Sequence, residues 1–164
     1  FLPITSIFMS EPQNILFVCT GNTCRSAMAE WVWNALVDTS QTFPACSAGI
    51  SAEDGRPMNP RAVQVLKEVN VEVDTTWTSS YLLAKYLEWA HIVLCMSKGH
   101  RDYILEQFPE FAAKTHILSS YVGEPHDVAD PYGSDLPTYR DTRDEIWALL
   151  RLLYAKLVSD PVPT

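Results

Sequence analysis

The sequence predicts an α/β domain: an open parallel sheet with helices on both faces. Three observations carry that expectation. Four short apolar runs, Asn14–Val18, Phe43–Ser47, His91–Met96 and Thr115–Leu118, alternate with stretches of helical periodicity. The first run, Ile15-Leu-Phe-Val18, is apolar throughout rather than alternating, as a strand covered on both sides must be. At 164 residues the chain is long enough for one domain around one sheet.

Taken in order, Asn14–Val18 is the first strand and places Cys19 at its end. Thr20–Thr23, with Gly21 and Asn22, supplies turn residues, and Ser26 is a suitable N-cap for a helix carrying Ala27, Met28, Ala29, Trp31 and Val32 as far as Leu36. Phe43–Ser47 is the second strand, closing in Ala48-Gly49. Ile50–Asn59, with Gly55 and Pro57, reads as a loop. Pro60 opens a helix to about Val69. Thr78-Ser-Ser80 is placed to cap a further helix with Leu82, Leu83, Tyr86 and Leu87 on one face. His91–Met96 is the third strand, followed by a Ser97-capped helix to Phe108. Thr115–Leu118 is the fourth. After the polar loop Glu124–Gly133, a last helix from Pro137 to Leu157 sets Tyr139, Ile146, Leu149, Leu150, Leu153 and Leu157 on one side. Residues 1–13 are expected to form a flexible extension, 14–158 the domain and 159–164 a frayed tail.

Composition narrows the function. A hydrophobic content of 47% with 20% charged residues is that of an ordinary globular chain. The net charge of −8, with only 12 Lys and Arg and no basic run, argues against nucleic acid as a partner. A phosphate ligand must then be held by local geometry, because the long-range field repels anions. No apolar stretch reaches the ~18 residues of a membrane span. Phe1–Phe8 is apolar but lacks the basic start of a secretory signal. Met9 is an alternative natural start, with residues 1–8 an added remnant or a native extension. The four cysteines are expected as free thiols in a reducing, cytoplasmic setting.

The chemistry concentrates in Cys19-Thr-Gly-Asn-Thr-Cys-Arg-Ser26. A turn between a strand end and a helix N-terminus collects backbone N–H groups with no helical partner, and the helix dipole adds roughly half a positive charge there. Such a place binds anions before any side chain is counted. Arg25 adds a planar, permanently charged fork for two phosphoryl oxygens. Cysteines beside helix N-termini and arginines are favoured as thiolates, the attacking form. Cys19 is therefore the candidate nucleophile. Thr20, Gly21, Asn22, Thr23, Cys24, Arg25 and Ser26 form the candidate phosphate cradle, with the Ser26 hydroxyl in reach of the sulfur. A metal or structural role for Cys19 and Cys24 lacks a second Cys/His cluster to complete the ligand set.

The segment Val18–Glu30 resembles the signature loop of the low-molecular-weight protein phosphatases. Ser47-Ala-Gly49, Val93-Leu94 with Met96, and Asp130-Pro-Tyr-Gly133 occur in that family's order, so the resemblance covers roughly Asn14 to Lys156. It implies a four-stranded, flavodoxin-like parallel sheet and no metal or cofactor. It also implies phosphoryl transfer to Cys19, with Asp130 as the acid on a loop folding over the cradle. Asp127 and Asp135 are the competing carboxylates, and Asp130 itself also suits a simple turn. Asn22 and Ser47 match the family's loop-bracing pair, though Asn22 also suits a left-handed backbone and Ser47 a strand end. Cys24 matches the partner that forms a reversible bridge with Cys19 on oxidation; a small buried hydrophobe is its plainer role. Two departures stand out: Ala27 where a proline is common, and Trp89-Ala-His91 where an acidic residue often precedes the third strand.

Within the family, Thr23 points to substrate. Tyrosine-directed members carry a branched aliphatic residue there, and the bacterial protein-arginine phosphatases carry Thr. A hydroxyl beside the cradle suits a polar guanidinium, whereas an extra methyl group suits an aromatic ring. Tyr139–Glu145 also resembles the arginine-directed branch. Tyr132 is an aromatic wall compatible with either substrate, and Glu53 and Asp54 either attract a cationic side chain or are solvated loop charges. The expectation is a monomeric, cytoplasmic protein phosphatase acting on phosphorylated proteins, phosphoarginine before phosphotyrosine. An arsenate reductase, with Cys95 as its second cysteine, lacks a third cysteine between Ser97 and Phe111. A catalytically idle phospho-ligand module leaves Cys19, Arg25 and Asp130 unexplained.

Overall fold

The computed structural model describes residues 12–37, 42–159 and 162. Most of the expected N-terminal extension and tail lies outside them. At the boundary, the Gln13 side-chain amide donates to Val162 O (2.6 Å) and accepts from Val162 N (3.2 Å).

Four strands form one sheet: β1 Ile15–Cys19, β2 Ala45–Gly49, β3 Ile92–Cys95 and β4 Thr115–Ile117. Their order is β2-β1-β3-β4 and every pairing is parallel. Parallel neighbours need crossover connections, which helices supply. α1 Arg25–Leu36 joins β1 to β2, α2 Pro60–Lys67 and α3 Ala84–Trp89 lie between β2 and β3, and α4 Lys98–Gln107 with a 3-10 turn at Pro109–Lys114 joins β3 to β4; α5 Leu118–Tyr121 and α6 Leu136–Ser159 follow the last strand.

The apolar run of β1 is explained by its position. Ile15, Phe17 and Cys19 enter a core shared with α1, α2 and α6, while Leu16 and Val18 enter a second core with Leu87 of α3 and Ile104 of α4. Successive side chains point to opposite faces, so a strand with both faces covered has no polar position. Trp33 anchors the larger core. Its ring meets Phe17, Phe43 and Tyr154 edge-on at 6.2–6.4 Å and donates its N–H to Phe43 O at 2.9 Å.

Two expected caps fall elsewhere. Ser26 lies inside the first turn of α1, whose N-cap is Cys24 without a side-chain cap bond. Thr78–Ser80 precedes no helix: α3 starts at Ala84 after an uncapped Leu83. The serines serve the loops instead, since Ser79 Oγ donates to Glu53 O and Ser80 N donates to Asn22 Oδ1. Ser97 does cap α4 and Asn59 caps α2. The strand order reverses direction between β1 and β3, and ligands of such sheets bind beyond the C-terminal strand ends at that point. No helix among the described residues is long and apolar enough to cross a membrane.

Candidate active site

Beyond the C-terminal end of β1 lies a cavity of about 300 Å³ lined by Cys19, Thr20, Gly21, Thr23, Cys24, Arg25, Asp130 and Tyr132. The strand delivers Cys19 to its floor. The loop Thr20–Cys24 curls over the sulfur, and α1 starts at Arg25 with its first-turn amides unused by any side-chain cap.

The loop closes this tightly because of two backbone positions. Asn22 takes a left-handed conformation (φ 57°), which brings its own N–H to 3.3 Å from Cys19 Sγ. Gly49, at the end of β2, packs directly beneath the loop: a Cβ there would overlap Thr20 O and stand 2.9 Å from Asn22 N. Ser51 N also donates to Thr20 O at 2.9 Å, and Asn59 N to Thr23 O at 3.0 Å.

A buried chain of hydrogen bonds reaches the sulfur from behind. Ser26 Oγ is 2.8 Å from Cys19 Sγ. Asn22 Nδ2 donates to Ser26 Oγ (2.8 Å) and to Ser47 Oγ (2.9 Å), and Ser47 Oγ donates to Glu30 Oε1 at 2.6 Å. Trp77 Nε1 donates to the other Glu30 oxygen at 3.1 Å. The direction of each bond follows from the ends. A carboxylate only accepts, so Ser47 must give its proton to Glu30 and accept from Asn22. Ser80 N can only donate, so it holds Asn22 Oδ1 and turns the amide's two N–H bonds toward the serines. Ser26, already accepting from Asn22, has its own proton to give, and the sulfur at 2.8 Å is a far closer acceptor than Ala48 O at 3.5 Å. Burial pushes the Glu30 carboxyl up, and the Ser47 and Trp77 donors oppose that shift.

Arg25 is buried, and its guanidinium is held by the facing loop. Nη1 donates to Val128 O at 3.1 Å, and Nη2 lies 3.4 Å from Asp130 Oδ2. Of the three carboxylates the sequence offered, Asp130 alone faces the arginine. Asp127 accepts from Lys98 N (3.2 Å), and Asp135 accepts from Thr138 N (3.1 Å) at the start of α6. Asp130 Oδ1 also accepts from Tyr132 N (3.1 Å), an Asx turn that presents the carboxylate and the 72%-exposed Tyr132 ring together at the cavity rim.

The remaining candidates fall as follows. Cys24 is buried, with Sγ 3.4 Å from Tyr139 Oη, and burial pushes its thiol up. Cys95 is fully buried at the end of β3, where burial drives its thiol far up. All four cysteines are free. Glu53 and Asp54 do not line the cavity: Glu53 pairs with Arg56 at the surface and Asp54 accepts from Tyr81 N. Sequence reasoning missed Glu30, Trp77 and Ser80, which reach the site only through folding. It also missed His100, whose Nε2 lies 2.9 Å from Thr20 Oγ1. A spacing signal existed for Glu30 alone, four residues after Ser26 on the helix face behind the loop.

A thiol on the floor of an amide-lined loop, an arginine fork beside it and a carboxylate over the opening define a phosphoryl-binding site suited to covalent chemistry at sulfur. Residues 14–162 match the family model described as low molecular weight phosphotyrosine protein phosphatase, and the chain belongs to that family. It is similar to the protein-arginine-phosphatase of Geobacillus stearothermophilus, with 42% identity over 91% of this chain and 99% of that protein. It is also similar to the protein-arginine-phosphatase of Bacillus subtilis strain 168, with 38% identity over 90% of this chain and 99% of that one. Among solved structures it resembles a cysteine-to-serine mutant of the YwlE arginine phosphatase with a phosphorylated active-site serine (37% identity, TM-score 0.85, covering 90% of this chain and 97% of that one).

Proposed function

We propose that this chain is a cysteine-dependent protein phosphatase that hydrolyses phosphorylated side chains through a phospho-cysteine, with phosphoarginine its preferred substrate. The observation that carries the reading is the convergence of Cys19, Arg25, Asp130 and Thr23 on one cavity.

In the first step the Cys19 sulfur attacks phosphorus from the floor of the loop. An S–P bond forms as the bond from phosphorus to the guanidinium nitrogen (or phenolic oxygen) breaks, and Asp130 gives its proton to the departing atom. Arg25 and the loop amides hold the phosphoryl oxygens as charge spreads over them. In the second step Asp130 takes a proton from water attacking the phospho-cysteine. Phosphate leaves, and the sulfur departs as a thiolate met by the Ser26 proton.

Selectivity is assigned to the cavity mouth. Thr23 places a hydroxyl where a branched aliphatic residue would give an apolar wall for a phenol, and Tyr132 supplies a flat face for a guanidinium plane. The similarity to proteins named protein-arginine-phosphatase supports the same choice. An arsenate reductase would need Cys95 to reach solvent or a second thiol, and it is wholly buried. Cys24 is proposed as the oxidation partner of Cys19; peroxide inactivation of Cys24→Ser that stays as thiol-reversible as wild type would remove it from that role. The chain is further proposed to act as a monomer in the cytoplasm, with no nucleic-acid or membrane partner.

The deciding experiment is turnover of matched phosphoarginine and phosphotyrosine peptides by the wild-type chain and by Thr23→Ile. Phosphoarginine should be cleaved faster, and Thr23→Ile should move the ratio toward tyrosine. Faster tyrosine hydrolysis that Thr23→Ile leaves untouched overturns the substrate assignment. A Cys19→Ser chain releasing phosphate at the normal pace overturns the mechanism.

A further inference from the structure

His100 is a buried histidine one turn into α4, on the far side of β3 from the cysteine loop in sequence yet in contact with it in space. Its Nε2 stands 2.9 Å from Thr20 Oγ1 and its Nδ1 2.9 Å from Ser97 Oγ, the cap of its own helix. The short turn that carries it also holds the loop bearing Asp130. Met96 O accepts from Val128 N at 2.9 Å, and Lys98 N donates to Asp127 Oδ1 at 3.2 Å. Val128 O in turn receives Arg25 Nη1. Five consecutive residues, 96–100, therefore touch both halves of the active site.

From this geometry we infer that His100 is a positioning residue: through Thr20 it clamps the phosphate loop to the turn that carries the acid loop, and so sets the separation between nucleophile and acid. The inference rests on the reading of the loop as a phosphoryl cradle.

A clamp of this kind should be neutral, and the surroundings keep it so. Burial and the nearby Arg25 charge bring the imidazole down to about 4, against the weaker pull of Asp130 and Asp127. A neutral ring has one N–H, so one nitrogen donates and the other accepts. Either tautomer bonds Thr20 and Ser97 together, because each hydroxyl donates or accepts as required. With the ring proton on Nδ1, the Thr20 hydroxyl donates to Nε2 and is turned toward α4, and the contacts of a bound oxyanion fall to the backbone amides and Arg25. The arrangement transmits position and moves no proton.

The amide side chains give a test that separates the two ring nitrogens. Gln at position 100 reaches where Nε2 stands, and Asn only where Nδ1 stands. His100→Ala, His100→Asn, His100→Gln and Thr20→Val are compared by calorimetric affinity for inorganic phosphate, by kcat/KM on a phosphopeptide and by thermal midpoint. Loss of one buried bond predicts phosphate binding and kcat/KM weakened roughly five- to tenfold in His100→Ala, His100→Asn and Thr20→Val. His100→Gln should recover most of both. Thr20→Val with His100→Ala should cost no more than either alone. Between pH 5 and 8 the limbs of the rate profile should stay in place in every variant. The inference is overturned if His100→Gln is as weak as His100→Ala, if His100→Asn binds phosphate like wild type, if the two losses add, or if a limb of the profile moves. Should His100→Ala fail to fold, the Gln–Asn contrast and Thr20→Val decide alone. A wild-type chain that binds phosphate but cleaves no phosphopeptide would instead count against the proposed activity, leaving the binding comparison to judge the clamp.

Discussion

Ser47 donates its proton to the Glu30 carboxylate across 2.6 Å, and that donation leaves Ser47 Oγ as an acceptor for Asn22 in the chain that leads to the Cys19 sulfur. Asn22, its carbonyl oxygen held by Ser80 N, gives its two N–H bonds to Ser47 and Ser26, and Ser26 has its proton for the Cys19 sulfur.

Glu30→Gln tests this polarity. A neutral amide meets two donors, Ser47 O–H and Trp77 N–H, with only one acceptor oxygen. Activity should drop about ten- to thirtyfold, the size of one or two compromised buried bonds. Removing the indole donor with Trp77→Phe in the same chain should restore part of it, because the amide oxygen is then free to face Ser47. Steady-state kinetics of the two single variants and the double variant check this; no recovery in the double variant contradicts the argument.

Asp130 is assigned to proton transfer, whereas its ion pair with Arg25 is only 3.4 Å and half exposed. Asp130→Asn should therefore leave stability nearly unchanged, since exposed pairs contribute little. Turnover of phosphoarginine should fall about 10²- to 10⁴-fold. An activated aryl phosphate, whose leaving group needs no proton, should suffer much less. Equal losses on both substrates would point to a binding role instead.

Gly49 makes the close approach between β2 and the cysteine loop possible. A methyl group in Gly49→Ala would press on Thr20 O and Asn22 N, both backbone atoms that cannot swing aside. Overpacking of this kind costs about 1–3 kcal/mol. Phosphate affinity should fall together with the urea midpoint; an unchanged affinity would show that the loop yields freely.

His100 also makes stability depend on pH. The imidazole titrates near 4 when folded and near its ordinary value when unfolded. The unfolded chain therefore binds the extra proton between about pH 6.5 and 4, so this contribution is complete above about 6.5 and is lost as pH falls toward 4. The full difference is of order 3 kcal/mol for this buried ring. Urea unfolding of wild type and His100→Gln from pH 4 to 7 measures it: the wild-type midpoint should drop more steeply with acid. Parallel curves would show that the ring is not held neutral.

Much of this molecule was legible in the chain. Ile15-Leu-Phe-Val18 could be read as a doubly covered strand because no polar residue interrupts it, and its side chains do divide between two cores. Cys19, Arg25 and the turn between them lie within seven residues of a strand–helix junction, where local backbone geometry alone brings them together. The short 3-10 turn at Pro109–Lys114 and the four-residue α5 carried no periodic pattern and were not anticipated. Thr78-Ser-Ser80 misled because a cap-like cluster has the same composition whether it holds a helix or a neighbouring loop; here Glu53 and Arg56 engage the Ser79 hydroxyl and Asn22 accepts from the Ser80 backbone N–H.

The sequence by itself determined the alternation of strands and helices and the reactive loop, because both depend on residues close along the chain. Only the tertiary structure decided which of three carboxylates faces Arg25. It also revealed that Glu30 anchors, through Ser47 and Asn22, the hydrogen-bond chain that ends on Ser26, and that His100 reaches Thr20. Those relationships join residues up to 105 positions apart, and hydrogen-bond direction is a property of which donors and acceptors meet in space.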